Sequence, residues 1–118
     1  MLSLAVRTGV DLVRVDEFKL SRERAGDAFD RRLFTPEELE GADDLRLAGA
    51  FAAKEAAFKA LGLPKGQWHS VQVVREPTGR PALRFSDGFD SSHVLSCDVS
   101  ISHTGDYVVA VVTALVRT

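Results

Sequence analysis

The chain has 118 residues, of which 45% are hydrophobic and 27% are charged, and its formal net charge is −2. These values predict one soluble globular domain spanning residues 1–118, and they argue against a general nucleic-acid binder, which would carry an excess of basic residues. The single cysteine, Cys97, excludes an intrachain disulfide. No apolar run approaches the length of a membrane span, and charge occurs too early for a secretory signal. We therefore expect a cytoplasmic protein with no membrane partner and no nucleic-acid partner.

The first third of the chain predicts a strand followed by a helix. The mostly apolar segment 4–10 is predicted as a strand. Leu12, Val15 and Phe18 then recur at three-residue intervals. This spacing is typical of the buried stripe of a helix, so a helix is predicted from residue 11 to about residue 24.

Two further helices are predicted from their end signals. Thr35 is a candidate N-cap, Pro36 suits the first helical position, and Glu38 completes a capping box, so a helix should begin there. An alanine-rich helix is predicted over 43–61, because the acidic pair at 43 and 44 suits a helix start and Gly62 suits a helix end.

The second half of the chain predicts strands. Segments 70–76 and 81–85 flank a proline–glycine turn, and segments 93–102 and 106–115 flank a second glycine turn. Helices first and antiparallel strands later indicate an α+β domain, in which helices pack on an antiparallel sheet.

Two acidic residues in the first half are candidates for chemistry. Asp11 follows the predicted strand, where a carboxylate either points into a cleft or caps a helix. Glu55 lies between Phe51 and Phe58 on one helical face, and a carboxylate beside the buried side needs a partner or a metal ion. Glu55 and Lys59 also have the spacing of an ordinary surface ion pair, so this helix alone leaves both interpretations open.

A third candidate lies at the end of a predicted strand. His103 precedes a hydroxyl and a glycine, which suits the binding of phosphate oxygens or a simple turn hydrogen bond. Together, Asp11 and Glu55 could share one Mg²⁺, and Lys59 and His103 would add positive charge or donors toward substrate phosphates. This combination is typical of phosphoryl transfer.

The order and spacing of these segments resemble the signatures of the holo-acyl-carrier-protein synthase family. The resemblance extends from residue 9 to about residue 112. Five segments carry it: Gly-Val-Asp-Leu at 9–12, Phe-Thr-Pro-Glu-Glu-Leu at 34–39, Phe-Ala-Ala-Lys-Glu-Ala at 51–56, Gly-Arg-Pro at 79–81 and Ser-Ile-Ser-His at 100–103.

The resemblance implies a small 4′-phosphopantetheinyl transferase fold that assembles as a homotrimer, with coenzyme A in clefts between subunits. It also implies an enzyme that transfers 4′-phosphopantetheine from coenzyme A to a serine of an acyl carrier protein. The reaction would depend on Mg²⁺ and release 3′,5′-ADP. The carrier would belong to fatty-acid or polyketide synthesis.

The resemblance also implies roles for individual residues. Asp11 and Glu55 would bind Mg²⁺, and together with Lys59 and His103 they would form the catalytic set. The residues expected to contact coenzyme A are Lys59, Gly62, Arg80, Pro81, His103 and Thr104. Three groups are candidates for the general base that accepts the proton of the serine: Glu55, a metal-held water, or an acid beside the serine on the carrier.

Departures from the family pattern leave alternatives open. Glu17 and Ala50 stand where the family commonly has arginine. One alternative is a catalytically weak module that binds coenzyme A or a carrier protein, and another is a different Mg²⁺-dependent nucleotide enzyme, such as a small hydrolase. Arg14, Arg22 and Arg24 either form a docking face for an acidic carrier or belong to a solvated, ion-paired surface.

Overall fold

The computed structural model describes residues 3–64 and 66–118 and confirms the α+β class, with helices packed on an antiparallel sheet. The elements in chain order are β1 (Leu4–Arg14), α1 (Val15–Leu33), α2 (Pro36–Leu39), α3 (Asp44–Leu61), β2 (Val71–Arg75), β3 (Pro81–Phe85), β4 (Val94–Thr104) and β5 (Tyr107–Arg117).

The strands form a three-stranded sheet and a separate hairpin. In the larger sheet the order is β1-β5-β4, so β5 is the central strand and pairs antiparallel with both neighbours. The hairpin consists of β2 and β3. Both predicted strand pairs in the second half of the chain are therefore confirmed.

The predicted helix over residues 11–24 is wrong at its start. β1 continues through Arg14, and Leu12 pairs with Val109 of β5. Leu12 is 64% exposed on the outer face of the sheet and does not belong to a buried stripe. Its spacing from Phe18 matches a helix by coincidence, because pairing with β5 keeps this stretch extended. The helix α1 begins at Val15 and runs to Leu33, with a non-helical break at Gly26.

The helix α3 confirms both predicted end signals. The Asp43 side chain accepts a hydrogen bond from the backbone of Arg46, and Gly62 ends the helix in the left-handed conformation at φ 66°. The capping box of Thr35 and Glu38 at the start of α2 is also present.

Small residues let α3 lie close to the sheet. A Cβ atom at Gly9 of β1 would stand 1.9 Å from the carbonyl oxygen of Ala56, which is far inside van der Waals contact. Near the other end of the helix, a Cβ atom at Gly49 would contact Ile101 of β4 and Val108 of β5. The helix therefore crosses the sheet from β4 and β5 at its beginning to β1 at its end.

The outer face of the sheet is largely apolar along β1 and β5, polar along β4, and uncovered by the described part of the chain. Val6 is 65% exposed, Val10 is 51% exposed and Val111 is 37% exposed, and all three lie on this face with Leu12. We call this surface the open face. Exposed apolar surface of this extent is typical of a protein–protein contact.

Cys97 is partly buried against the core, and burial raises the pKa of its thiol. Among the helices within 3–64 and 66–118, none is both long enough and apolar enough to cross a membrane.

Candidate active site

The structure brings together three of the predicted site residues. Asp11 of β1 and both Glu55 and Lys59 of α3 line a cleft of about 420 Å³ beside α1. The ammonium of Lys59 donates hydrogen bonds to the Val10 carbonyl at 2.8 Å and to the Asp11 carboxylate at 3.3 Å. The Lys59 side chain is 54% exposed, whereas that of Asp11 is 19% exposed. We call this cleft the carboxylate cleft.

The local geometry follows from the close packing of β1 and α3. Asp11 lies two residues after Gly9 and therefore faces the same side of the strand, toward α3. Glu55 and Lys59 lie one helical turn apart on the same side of α3. Because Gly9 lets the helix approach, these side chains reach the same cleft.

The carboxylate cleft fits a magnesium ion that is shared with a substrate. Mg²⁺ in proteins is commonly held by one or two carboxylates, with waters and substrate phosphates as the remaining ligands. Asp11 and Glu55 supply two carboxylates. Across 3–64 and 66–118 there is no cluster of three or more acidic, histidine or cysteine side chains that would form an all-protein metal cage.

Glu17, one of the two departures from the family pattern, also lines the carboxylate cleft. Its carboxylate lies 3.5 Å from the guanidinium of Arg14, which also contacts Asp16 at 3.2 Å. Arg14 therefore offsets part of the extra negative charge that Glu17 brings to the rim of the cleft.

Arg22 is engaged within the fold. Its guanidinium binds Asp30 at 2.8 Å and Asp44 at 2.6 Å, and both pairs are partly buried. These carboxylates raise the pKa of Arg22, although burial opposes them. The expectation that Arg22 helps to dock an acidic carrier is therefore not supported, because its charge is already neutralised.

Gly62 lies close to the carboxylate cleft but on a separate groove. That groove of about 430 Å³ is lined by Lys59, Gly62, Arg7 and His93, among others. Since Lys59 lines both spaces, it stands at their junction. Gly62 is thus placed beside one of the three central residues.

His103 lies on the other side of α3. It lines a groove of about 510 Å³ together with Arg46, Arg75 and Gly49. At about 3.6 residues per turn, Arg46 lies on the opposite side of α3 from Glu55 and well around the helix from Lys59. Within one chain, His103 and Lys59 therefore line different grooves. We call this second space the arginine groove.

The remaining predicted contacts lie on or near the open face. Arg80 forms an ion pair with Asp98, and both line a groove of about 500 Å³ with Pro81 and residues of the open face. Thr104 pairs with Tyr107 and points to the opposite side of β4 from His103. None of these three predicted residues lines the carboxylate cleft.

Sequence reasoning missed a buried ion pair within the most specific motif. The ammonium of Lys54 donates to the carboxylate of Glu38 at 2.6 Å and to the carbonyls of Leu33 at 2.8 Å and Trp68 at 2.9 Å. The carboxylate of Glu38 also accepts from the backbone of Thr35 and Val73. The capping box predicted only the contact of Glu38 with Thr35. No local sequence signal predicted its contacts with Lys54 and Val73.

Comparison with known proteins gives a consistent assignment. The family model of the 4′-phosphopantetheinyl transferase superfamily matches residues 7–112. A holo-[acyl-carrier-protein] synthase of Frankia alni is 40% identical over 114 residues, which cover 92% of this chain and 96% of the relative.

Solved structures are also similar. The holo-[acyl-carrier-protein] synthase of Neisseria meningitidis superposes with a TM-score of 0.82 at 28% identity, covering 92% of this chain and 96% of the other. That of Helicobacter pylori, solved in complex with coenzyme A, has a TM-score of 0.81 at 28% identity and covers 94% and 99%.

Proposed function

This chain belongs to the 4′-phosphopantetheinyl transferase superfamily, and we propose that it is the enzyme that transfers 4′-phosphopantetheine from coenzyme A to a serine of an acyl carrier protein. The observation that carries the proposal is the convergence of Asp11, Glu55 and Lys59 in one open cleft. The names of the similar proteins, including one solved with coenzyme A, support the same substrates.

The proposed reaction is a phosphoryl transfer. The serine hydroxyl of the carrier attacks the β-phosphate of coenzyme A, and the bond between that phosphorus and the bridging oxygen breaks. The serine gives its proton to a general base, one of the three candidates named above, and 3′,5′-ADP leaves with the bridging oxygen. Positioning and charge neutralisation supply most of the catalysis in reactions of this kind.

Asp11 and Glu55 are the residues that would hold Mg²⁺ in this proposal. The ion would supply charge neutralisation at the pyrophosphate of coenzyme A. Lys59 is held at the edge of the cleft by the Val10 carbonyl. Its remaining donor capacity can therefore reach a phosphate oxygen without a large loss of side-chain freedom.

We also propose a homotrimer in which a neighbouring subunit completes each site. Two observations support this assembly. The predicted residues His103, Arg80 and Pro81 lie away from the carboxylate cleft of their own chain. The apolar part of the open face, along β1 and β5, is uncovered in the described part of the chain. Burying this face between copies would stabilise the assembly and bring the separated residues to a neighbour's cleft.

Intact-mass spectrometry of apo carrier proteins tests the transfer. Fatty-acid and polyketide carriers would each be incubated with the protein, coenzyme A and Mg²⁺. We expect a mass gain of one phosphopantetheine, abolished by EDTA and reduced by at least about 100-fold in Glu55→Gln. Binding of coenzyme A without a mass gain on any carrier would instead favour a binding module.

A mixing experiment extends the same assay to the trimer. Glu55→Gln and His103→Ala would be co-expressed, each inactive alone. If Glu55 and His103 of one site come from different subunits, random mixing restores about a quarter of the sites. Failure of co-assembled variants to recover activity would place the whole site within one chain.

A further inference from the structure

The helix α1 forms one wall of the carboxylate cleft, and it is broken in two. At Gly26 the backbone has φ 64° and ψ −147°, which are not helical values, so α1 consists of helical segments 15–25 and 27–33. Both segments contribute to the wall, through Glu17, Phe18, Ser21 and Phe29. Because the backbone leaves the helical conformation at Gly26, the helix alone does not fix the orientation of one segment relative to the other.

The first segment of α1 has few attachments to the rest of the fold. Near its start, Phe18 is buried and packs against Phe51, with ring centroids 5.5 Å apart. Among residues 19–28, all of which the structure describes, Arg22 alone is not exposed. Beyond Phe18, the position of the first segment therefore depends on the side chain of Arg22.

Arg22 fastens the first segment at two points. Its Nε and Nη2 donate to the two oxygens of the Asp30 carboxylate at 2.9 and 2.8 Å, and its Nη1 donates to the Asp44 carboxylate at 2.6 Å. Asp30 lies in the second segment of α1, and Asp44 is the first residue of α3. Two parallel hydrogen bonds to one carboxylate fix orientation as well as distance. Arg22 therefore spans the break at Gly26 and joins both segments of α1 to α3.

The partners of Arg22 are themselves fixed. In the second segment, Leu33 is buried, and Nε2 of His69 lies 2.8 Å from the carbonyl oxygen of Arg31. The helix α3, which carries Asp44, packs closely on the sheet. The first segment is therefore held by reference to two well-packed parts of the fold.

Arg14, at the start of α1, provides an internal contrast. Its ion pairs with Asp16 and Glu17 are exposed, and solvent and salt weaken pairs of that kind. The side chains of Arg22, Asp30 and Asp44 are only 23%, 20% and 33% exposed. The hydrogen bonds of Arg22 are therefore better protected from solvent than those of Arg14 on the same helix.

We propose that Arg22 is a positioning residue for the transfer, which holds the α1 wall where the carrier serine can reach the reacting phosphate. This inference rests on the proposed function. A serine that approaches Asp11 and Glu55 enters the carboxylate cleft and therefore passes α1. Arg22 is not among the described residues that line the cleft, so it acts through the wall. A displacement of about 1 Å at a distance from the chemistry can lower a rate by about 100-fold.

The binding of coenzyme A should not depend on Arg22. Asp11, Glu55 and Lys59, which we propose to hold Mg²⁺ and the phosphates, lie on β1 and α3. Gly9 lets these two elements pack directly on each other, without α1 between them. Loss of the hydrogen bonds of Arg22 should therefore impair use of the carrier and leave the affinity for coenzyme A unchanged.

Transfer kinetics, measured beside coenzyme A binding, test the proposal. The proteins compared are the wild type, Arg22→Met, Arg22→Lys and the triple variant Arg22→Met/Asp30→Asn/Asp44→Asn. Lys19→Met is the matched control, because it removes an exposed charge from the same segment. For Arg22→Met and the triple variant, we expect kcat/KM for the apo carrier to fall about 10- to 100-fold, while the calorimetric Kd for coenzyme A with Mg²⁺ stays within about two-fold of the wild type.

The two remaining variants should behave differently from Arg22→Met. Arg22→Lys keeps the charge but cannot form two parallel hydrogen bonds to Asp30, so its loss of kcat/KM should be intermediate. Lys19→Met should keep both the kcat/KM and the Kd of the wild type. Circular dichroism checks that each variant is folded, and if Arg22→Met is not, the comparison of Arg22→Lys with the wild type decides.

The triple variant separates positioning from charge balance. If it regains the kcat/KM of the wild type, Arg22 only neutralises two carboxylates and the proposal is wrong. The proposal is also wrong if the folded Arg22 variants keep their kcat/KM, or if the affinity for coenzyme A falls as much as kcat/KM does, since that pattern indicates a general loss of structure. If the wild type transfers to no carrier, the proposed function and this inference both fall.

Discussion

Two lysine–carboxylate pairs on the same helix have opposite characters. Lys54 and Glu38 are fully enclosed, with side chains 0% and 1% exposed, and the lysine ammonium has three hydrogen-bond acceptors. Lys59 lies five positions further along α3, and its side chain is 54% exposed beside Asp11. One pair is dry and complete, while the other is open to solvent with donor capacity to spare.

The difference indicates that two lysines of the same helix have different roles. The Lys54–Glu38 pair joins the end of α1, the start of α2, the helix α3 and the strand β2, because its partners come from all four regions or their borders. Burial lowers the pKa of Lys54, and the charge of Glu38 opposes that shift. The Lys59–Asp11 pair joins only α3 and β1 and faces a cleft. We therefore expect the first pair to control stability and the second to control activity.

The largest effect on stability is expected from Lys54→Met. The substitution keeps the volume but leaves the carboxylate of Glu38 buried without its cation, so the free energy of unfolding should fall by about 3–5 kcal/mol. Urea unfolding at a fixed protein concentration measures this, since an oligomer's stability depends on concentration. Lys19→Met, at an exposed position of α1, is the control and should change little. A loss below about 1 kcal/mol for Lys54→Met would mean that the buried pair contributes no more to stability than an exposed ion pair does.

A smaller loss of stability, coupled to a loss of activity, is expected from Gly9→Ala. The new Cβ would lie 1.9 Å from the carbonyl oxygen of Ala56, so α3 must move away from β1. Overpacking of this kind costs about 1–3 kcal/mol, and a shift of about 1 Å at a reacting centre can lower the rate by about 100-fold. Unfolding curves and the carrier assay would be run together.

Gly88→Ala is the matched control for this substitution. A Cβ atom at Gly88 would meet no other atom within 4 Å, so neither stability nor activity should change. Full activity in Gly9→Ala would show that the spacing of β1 and α3 does not set the position of Asp11.

Local sequence signals predicted the elements whose ends are marked by local chemistry. The capping box at Thr35, the N-cap at Asp43 and the glycine end at Gly62 are formed within a few residues, and all three are confirmed. The extension of β1 through Leu12 was missed because it depends on pairing with β5, nearly a full chain length away. The spacing of apolar residues along the chain does not show which distant strand will pair with a segment.

The candidate site was predictable to a similar degree. Motif resemblance selected Asp11, Glu55 and Lys59, and the structure brings them to one cleft. The separation of His103 from them was not predictable, because it depends on which way α3 crosses the sheet. Arg46 and Arg75 carried no motif, and only the fold brings them together.

The smallest effect on stability is expected from Lys59→Met. This substitution is the most direct test of the difference between the Lys54–Glu38 pair and the Lys59–Asp11 pair. An exposed ion pair contributes about 0–1 kcal/mol, so the free energy of unfolding should stay close to that of the wild type. The loss of a positioned cation beside the reacting phosphate should lower kcat by about 100-fold. Steady-state transfer by mass spectrometry, beside urea unfolding, gives both values for one protein.

The two values together decide the role of Lys59. A fall in kcat with wild-type stability assigns Lys59 to the transfer itself. A loss of stability as large as that of Lys54→Met would make its hydrogen bond to the Val10 carbonyl a structural contact instead. Retained activity together with retained stability would mean that neither hydrogen bond of Lys59 matters for transfer or for folding, and would remove Lys59 from the catalytic set.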